Sequence, residues 1–299
     1  MMREHELLDY LTQASRDVEQ ALDRLLPMRQ ISPEAAIYFA MRYSLFGGGK
    51  RLRPALFFAA LEACGAGREP FLDVAAALEM IHTASLIHDD MPEMDDDDLR
   101  RGRPSCHKVY GSGMALLAGD GLFIHAFAVM SRPLPGVAAE RQLAAVREVG
   151  LRSGLGGMVA GQAAEFDNMS RPSDRELLEY ISRGKTSALL IAAVKAAGYL
   201  AGAAEERLQA LEDYGLHAGL AFQIIDDVLD QEGDDATLGK PAGSDEERGL
   251  VTFASLLGCG EARKAAEAEA QAAVDALAVF GPEADTLRAF PPFFVTRSH

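Results

Sequence analysis

The chain has 299 residues, 48% of them hydrophobic, which is enough to build a sizeable core. Its net charge of −16 excludes a surface made for nucleic acid or an anionic membrane, and no basic stripe offsets it. Ala and Leu dominate, Trp is absent and β-branched residues are sparse, so helix is favoured over sheet.

The N-terminus, MMREHELLDY, is charged and lacks the apolar core of a signal peptide. A helix is predicted to start after Pro70, run through FLDVAAALEMIHTASLIHDD and stop before Pro92, because a residue ahead of proline avoids helical geometry. The segment Ser131–Gly136 reads as a loop. A second helix is predicted from Ser173, with Glu176 completing a capping-box pattern, and running to Leu200 with Gly184 as its weak point. A third covers Arg207–Gln231 and ends at Gly233. No alternating strand pattern stands out. Thr186–Leu200 reads as the longest apolar stretch; it is broken by Lys195 and too short to span a bilayer. Cys64, Cys106 and Cys259 are scattered, without metal-ligand spacing, and read as buried reduced thiols. The expectation is a cytoplasmic protein with no stable membrane insertion. No Gly/Ser-rich linker divides the chain, so one all-α domain over residues 1–299, a bundle of ten or more helices, is expected.

Three clusters carry chemistry. The first is His88-Asp89-Asp90-Met91-Pro92-Glu93-Met94-Asp95-Asp96-Asp97-Asp98, followed at once by Leu99-Arg100-Arg101-Gly102-Arg103. An acidic run is ordinarily a solvated face. This one ends an apolar helix and abuts guanidiniums, a pairing that suits metal ions and phosphates together. The second is Asp226-Asp227-Val228-Leu229-Asp230. Asp226 and Asp230 are four apart and share a helix face, with Gln223 one turn earlier on the same side. Mg²⁺ takes oxygen ligands of this kind, one or two carboxylates completed by water and substrate phosphates. The third is Gly47-Gly48-Gly49-Lys50-Arg51-Leu52-Arg53-Pro54: glycines that admit a close approach, then three cations. It lacks the spacing of a nucleotide-binding P-loop.

GGGKRLRP, LIHDDMPEMDDDDLRRGRPSCHKVYG, LAGD, GKT and FQIIDDVLDQEGDDATLGKPAGSD occur in this order. The sequence resembles the trans-polyprenyl diphosphate synthases, the short-chain group that includes bacterial farnesyl and plant-type geranylgeranyl diphosphate synthases. The resemblance covers at least Tyr38–Leu257. It implies a helical bundle of the isoprenoid synthase type around a deep central cavity, and a homodimer. It implies Mg²⁺, three ions with substrate bound, on Asp89, Asp95, Asp226 and Asp230, with Asp90 beside them. Lys50, Arg53, His82 and Arg101 match positions that hold isopentenyl diphosphate. Arg100, Lys185, Thr186, Gln223, Asp227 and Lys240 match positions around the allylic diphosphate. Geometry agrees for His82, which lies seven residues before Asp89, on nearly the same helix face and about 10 Å away.

The reaction implied is electrophilic prenyl transfer from dimethylallyl, geranyl or farnesyl diphosphate to isopentenyl diphosphate. Mg²⁺ neutralises the departing diphosphate, Lys185 and Lys240 stabilise its charge, and that diphosphate is the base. The chain-length floor is assigned by resemblance to Ala84, while helix geometry puts Ser85 beneath Asp89. Both are small, so a geranylgeranyl (C20) product is expected, with farnesyl (C15) close behind.

Three positions depart from the family pattern. Leu250 stands where a lysine is usual, Glu165 replaces an aspartate and Ser182 replaces a histidine. Leu250 motivates the alternative of a weakly active or non-catalytic regulatory subunit. A terpene cyclase fits less well, because Asp226–Asp230 lacks that group's Ser/Thr and Glu pattern.

Overall fold

The computed structural model describes residues 2–28, 32–168, 175–232 and 250–297. These residues form fourteen α-helices, a few short 3-10 turns, one π-helical turn and a two-stranded antiparallel ribbon, Leu99–Arg100 with Arg103–Pro104. The all-α expectation holds. Contacts divide the chain into two compact units, one of Tyr10–Ala55 and Arg68–Gly136, the other of Met1–Asp9, Leu56–Gly67 and Val137–His299. α1 (Glu4–Leu25) and α3 (Leu52–Ala63) contribute residues to both.

In the unit of Tyr10–Ala55 and Arg68–Gly136, α4 (Leu72–Asp89) packs along α6 (Ser112–Met130), and α2 (Ala35–Leu45) packs against both. Pro70 opens a 3-10 turn, Glu69–Phe71, and α4 stops short of Pro92, as the prolines predict. α4 is apolar nearly all round, which is the pattern of a core helix rather than a surface one. Its one deeply buried carboxylate, Glu79, accepts from Arg51 at 2.8 Å. Removing either partner would strand a buried charge, at a cost of about 3–5 kcal/mol.

In the other unit, α10 (Ala188–Ala201) packs against α7 (Ala139–Ser153) and α11 (Glu205–Glu232), and α11 runs along α13 (Cys259–Ala276). Where these first three helices meet, Lys195 reaches Glu212 at 2.6 Å and Glu148 at 3.7 Å, while Arg152 pairs with Glu148 at 2.9 Å and with Glu212. The helix expected through Leu200 is divided: α9 (Arg175–Ser182), a π turn (Arg183–Ser187), then α10. The break falls at Gly184, where a weak point was predicted. Ser173 and Gly233 lie outside the described residues.

Two expectations need correction. Thr186–Leu200 is not the stretch best able to span a membrane: the helical segments Glu69–Asp89 and Ser112–Met130 are both long and apolar enough. The first is a core helix, 67% buried, whereas the second is only 39% buried and exposes Leu116, Leu117 and Ile124. Of the cysteines, only Cys106 is buried; Cys64 and Cys259 are half-buried, and all three are free thiols.

Candidate active site

The first cluster is built at the end of α4. After Asp89 the backbone folds back: the Asp95 amide donates to the Asp89 carbonyl at 2.9 Å and the Asp96 amide to that of Met91 at 3.0 Å. That turn brings residue 95 beside residue 89, both half-buried. Asp90 is enclosed instead. It is 2% exposed and its Oδ1 accepts from Arg100, at 2.8 Å from Nε and again from Nη2. Burial pushes the Asp90 carboxyl up against the pull of Arg100. Arg100 also reaches Asp97 at 3.2 Å, and Lys108 pairs with Asp98 at 2.5 Å. The acidic run is therefore divided, with Asp97 and Asp98 taken by basic side chains of the following segment.

The glycine-rich segment makes room for an arginine. Gly48 and Gly49 have φ of 94° and 125°, a region that favours glycine. A Cβ on Gly49 would lie 2.4 Å from Arg101 Nη1, and the same guanidinium donates to the Gly48 carbonyl. Lys50 is exposed and Arg53 half-buried. Arg51, which the motif left without a role, is the structural one: it is fully buried and donates to Glu79, to the Leu45 carbonyl at 2.6 Å and to Glu19 at 3.3 Å.

His82 lies among these cations. Burial of its imidazole, then the guanidiniums of Arg53, Arg101, Arg100 and Arg51, hold its pKa well below the usual value. It is neutral at pH 7 and able to donate one hydrogen bond to an anion while the arginines supply the charge. A small open pocket is lined by Tyr43, Gly47, Thr83, Leu86, Asp90 and Arg100. Ala84 is wholly buried, whereas Ser85 is half-buried and its hydroxyl donates to the His82 carbonyl at 2.8 Å.

The second cluster is built on α11. Asp226 is ion-paired with Arg297, a residue no motif marked. Asp227 is buried and bonded through both oxygens: it accepts from Gln223 Nε2 at 2.8 Å and from the Phe253 amide at 2.8 Å. The second bond satisfies an amide at the start of α12 (Phe253–Leu257), beside the capping box made by Thr252 and Ser255. Gln223 Oε1 in turn accepts from the Thr186 hydroxyl at 2.6 Å. Thr186, Gln223, Asp227 and Phe253 thus form one chain of hydrogen bonds. Asp230 is 6% exposed. Lys185 pairs with Glu165 of α8 (Met158–Asn168) at 2.5 Å. Lys240 lies outside the described residues.

Among the described residues, no group of three or more His, Cys, Asp or Glu side chains could hold a metal ion by itself. A divalent ion that takes only one or two carboxylates, and its remaining oxygens from phosphates and water, fits Asp89 with Asp95, and Asp226. Among the described residues, a site for a transition metal held wholly by protein ligands does not fit.

A model of the polyprenyl synthetase family matches residues 34–278. The farnesyl diphosphate synthase of Geobacillus stearothermophilus is 42% identical over 260 residues, 85% of this chain and 86% of that protein. A geranylgeranyl diphosphate synthase of Cyanophora paradoxa is 39% identical over 294 residues, 98% of this chain and 97% of that protein. Among solved structures, an FPP/GFPP synthase from Zymomonas mobilis superposes with a TM-score of 0.87 at 35% identity, covering 97% of this chain and 99% of that one.

Proposed function

The chain belongs to the polyprenyl synthetase family, and we propose, on that premise, that it condenses isopentenyl diphosphate with dimethylallyl, geranyl and farnesyl diphosphates to a C20 product. It is a short-chain trans-prenyl diphosphate synthase, a prenyltransferase. The observation that supports the site reading best is the gathering of Arg51, Arg53, Arg100 and Arg101 around the His82 imidazole. Arg51 and Arg100 are balanced by Glu79 and Asp90, and a gathering of guanidiniums beside an imidazole supplies the donors that a diphosphate takes.

In this reading Lys50, Arg53, His82 and Arg101 bind the diphosphate of isopentenyl diphosphate and orient its double bond. Asp89, Asp95 and Asp226, with Asp230, are the residues that would hold Mg²⁺. When bound, Mg²⁺ supplies charge neutralisation of the leaving diphosphate. Lys185, Thr186, Gln223 and Lys240 hold the same diphosphate as its C–O bond breaks. Lys185 is then shared with Glu165, which aims the ammonium. The new C–C bond forms to the allylic carbon, and the proton lost from the isopentenyl unit leaves with the diphosphate. Arg100 holds the allylic diphosphate with Lys185, Thr186, Gln223 and Lys240, while Asp90, bonded to Arg100, and Asp227, bonded to Gln223 and the Phe253 amide, support the groups around it.

The reading extends to one synthase domain over residues 1–299, three Mg²⁺ ions, a cytoplasmic location and no stable membrane insertion. It includes a homodimer, supported by the uncovered Leu116, Leu117 and Ile124 on α6, since an apolar face of this kind commonly marks an interface.

The test is incubation of purified protein with Mg²⁺, labelled isopentenyl diphosphate and each allylic primer in turn, with the products sized. Extension to C20 is expected from wild type, and none from Asp89→Ala or Asp226→Ala. Near-normal rates in either variant would remove that aspartate from the metal set. Folded protein that extends no primer would point to a regulatory subunit instead.

A further inference from the structure

Arg297 sits at the second aspartate cluster although it is far from it in sequence. Two residues earlier, Val295 packs against an apolar cluster that includes Leu178, Ile224, Val228 and Phe253, which fixes this end of α14 (Asp285–Thr296) beside α11. The Arg297 guanidinium is ion-paired with Asp226 Oδ1. It stacks 3.8 Å from the centroid of the Phe222 ring and donates to the Phe222 carbonyl at 3.3 Å. Its Nε is buried without a hydrogen-bond acceptor among the described residues.

The burial is the reverse of an ordinary surface pair. Long cationic side chains usually keep their charge in water. Here the Arg297 side chain is 7% exposed, while that of Asp226 is 44% exposed. The arginine is seated by the ring and the carbonyl, and the carboxylate comes to it from the solvent side. An oxygen that accepts a close guanidinium hydrogen bond cannot offer the same lone pair to a cation.

We propose that Arg297 sets the metal affinity of the second aspartate cluster, occupying Asp226 when Mg²⁺ is absent and being exchanged for Mg²⁺ when it binds. The proposal rests on the reading of Asp226 as a Mg²⁺ ligand. Linkage makes the effect reciprocal: whatever Arg297 contributes to holding Asp226 weakens Mg²⁺ there, and Mg²⁺ loosens the end of α14 by the same factor.

The experiment is calorimetric titration of the full chain with Mg²⁺ at saturating inorganic pyrophosphate. Wild type is compared with Arg297→Gln, Arg297→Lys and Asp226→Asn, and amide hydrogen exchange at residues 293–297 is followed with and without Mg²⁺. The Mg²⁺ step missing from Asp226→Asn should be roughly tenfold tighter in Arg297→Gln, the scale of one charge-assisted hydrogen bond. Arg297→Lys should fall between. Exchange at 293–297 should rise with Mg²⁺ in wild type and stay unchanged in Asp226→Asn. Equal or weaker Mg²⁺ binding by Arg297→Gln, with Asp226→Asn defective, overturns the proposal alone. Wild-type binding by Asp226→Asn overturns the ligand reading and the proposal with it.

Discussion

Gly161 and Gly184 meet backbone to backbone: a Cβ on Gly161 would lie 2.4 Å from the Lys185 amide nitrogen, and one on Gly184 would lie 2.8 Å from Gly161 Cα. This contact seats the π turn Arg183–Ser187 against α8, and Lys185 and Thr186 are both carried on that turn. π bulges inside helices commonly mark functional positions. Gly161→Ala therefore has no space for its methyl without moving the backbone that aims Lys185. We expect kcat to fall at least about tenfold, with helix content retained and stability lowered by about 1–3 kcal/mol. Steady-state kinetics beside far-UV circular dichroism checks this; an unchanged kcat would show that the turn tolerates the shift.

Asp227→Ala leaves the Phe253 amide and the Gln223 carboxamide without their acceptor. A buried donor left unsatisfied costs about 1–3 kcal/mol. The denaturation midpoint should fall accordingly, and Asp227→Asn, which keeps one carbonyl oxygen, should recover part of the loss. Urea melts of the three proteins decide it.

Ser85→Phe should shorten the product. Ser85 is half-buried on α4, one turn before Asp89, and a ring there would fill the space below that carboxylate. Ala84→Tyr should act in the same direction. Because Ala84 is wholly buried, it should also cost about 1–3 kcal/mol of stability from overpacking. Product chromatography separates the two, and a wild-type profile from Ser85→Phe would take this face of α4 out of length control.

His217 of α11 and Glu269 of α13 form a pair at 2.7 Å. The hydrogen bond to Glu269 raises the His217 pKa above its usual value, outweighing burial. A raised folded-state pKa means that protonation stabilises the fold. The contribution is complete below the unfolded pKa of about 6.5 and is lost as pH rises through the folded value. His217→Gln should lower Tm below about pH 6, and the difference should shrink as pH rises through the raised folded value. Parallel melting curves across that window would remove the pair from the pH dependence.

The parts of this molecule that were legible in sequence are those with local causes. Pro70 and Pro92 delimited α4, and Gly184 marked the break before α10. The two aspartate clusters and the basic segment announced themselves by composition. Spacing could not tell which carboxylates of the run Asp89–Asp98 would be taken by Arg100 and Lys108, since that depends on how the ribbon Leu99–Pro104 folds back. By resemblance Asp227 stands by the allylic diphosphate, and nothing in the sequence marks the Phe253 amide that takes one of its oxygens. Arg297 had no local signal at all: its partner is 71 residues away in the chain. α6 was passed over because Asp120 and His125 interrupt a run that is otherwise more apolar than Thr186–Leu200.

The four charges of Lys195, Glu212, Arg152 and Glu148 have a consequence that concerns heat. They sum to zero and join α7, α10 and α11 at a single junction. Ions are hydrated less favourably as water warms, so the penalty for having withdrawn these groups from solvent shrinks on heating, while apolar burial levels off. The weight of the junction therefore grows as the surrounding core approaches its limit. α7, α10 and α11 should be among the last elements of their unit to come apart in a thermal melt, held by charge after packing has begun to fail.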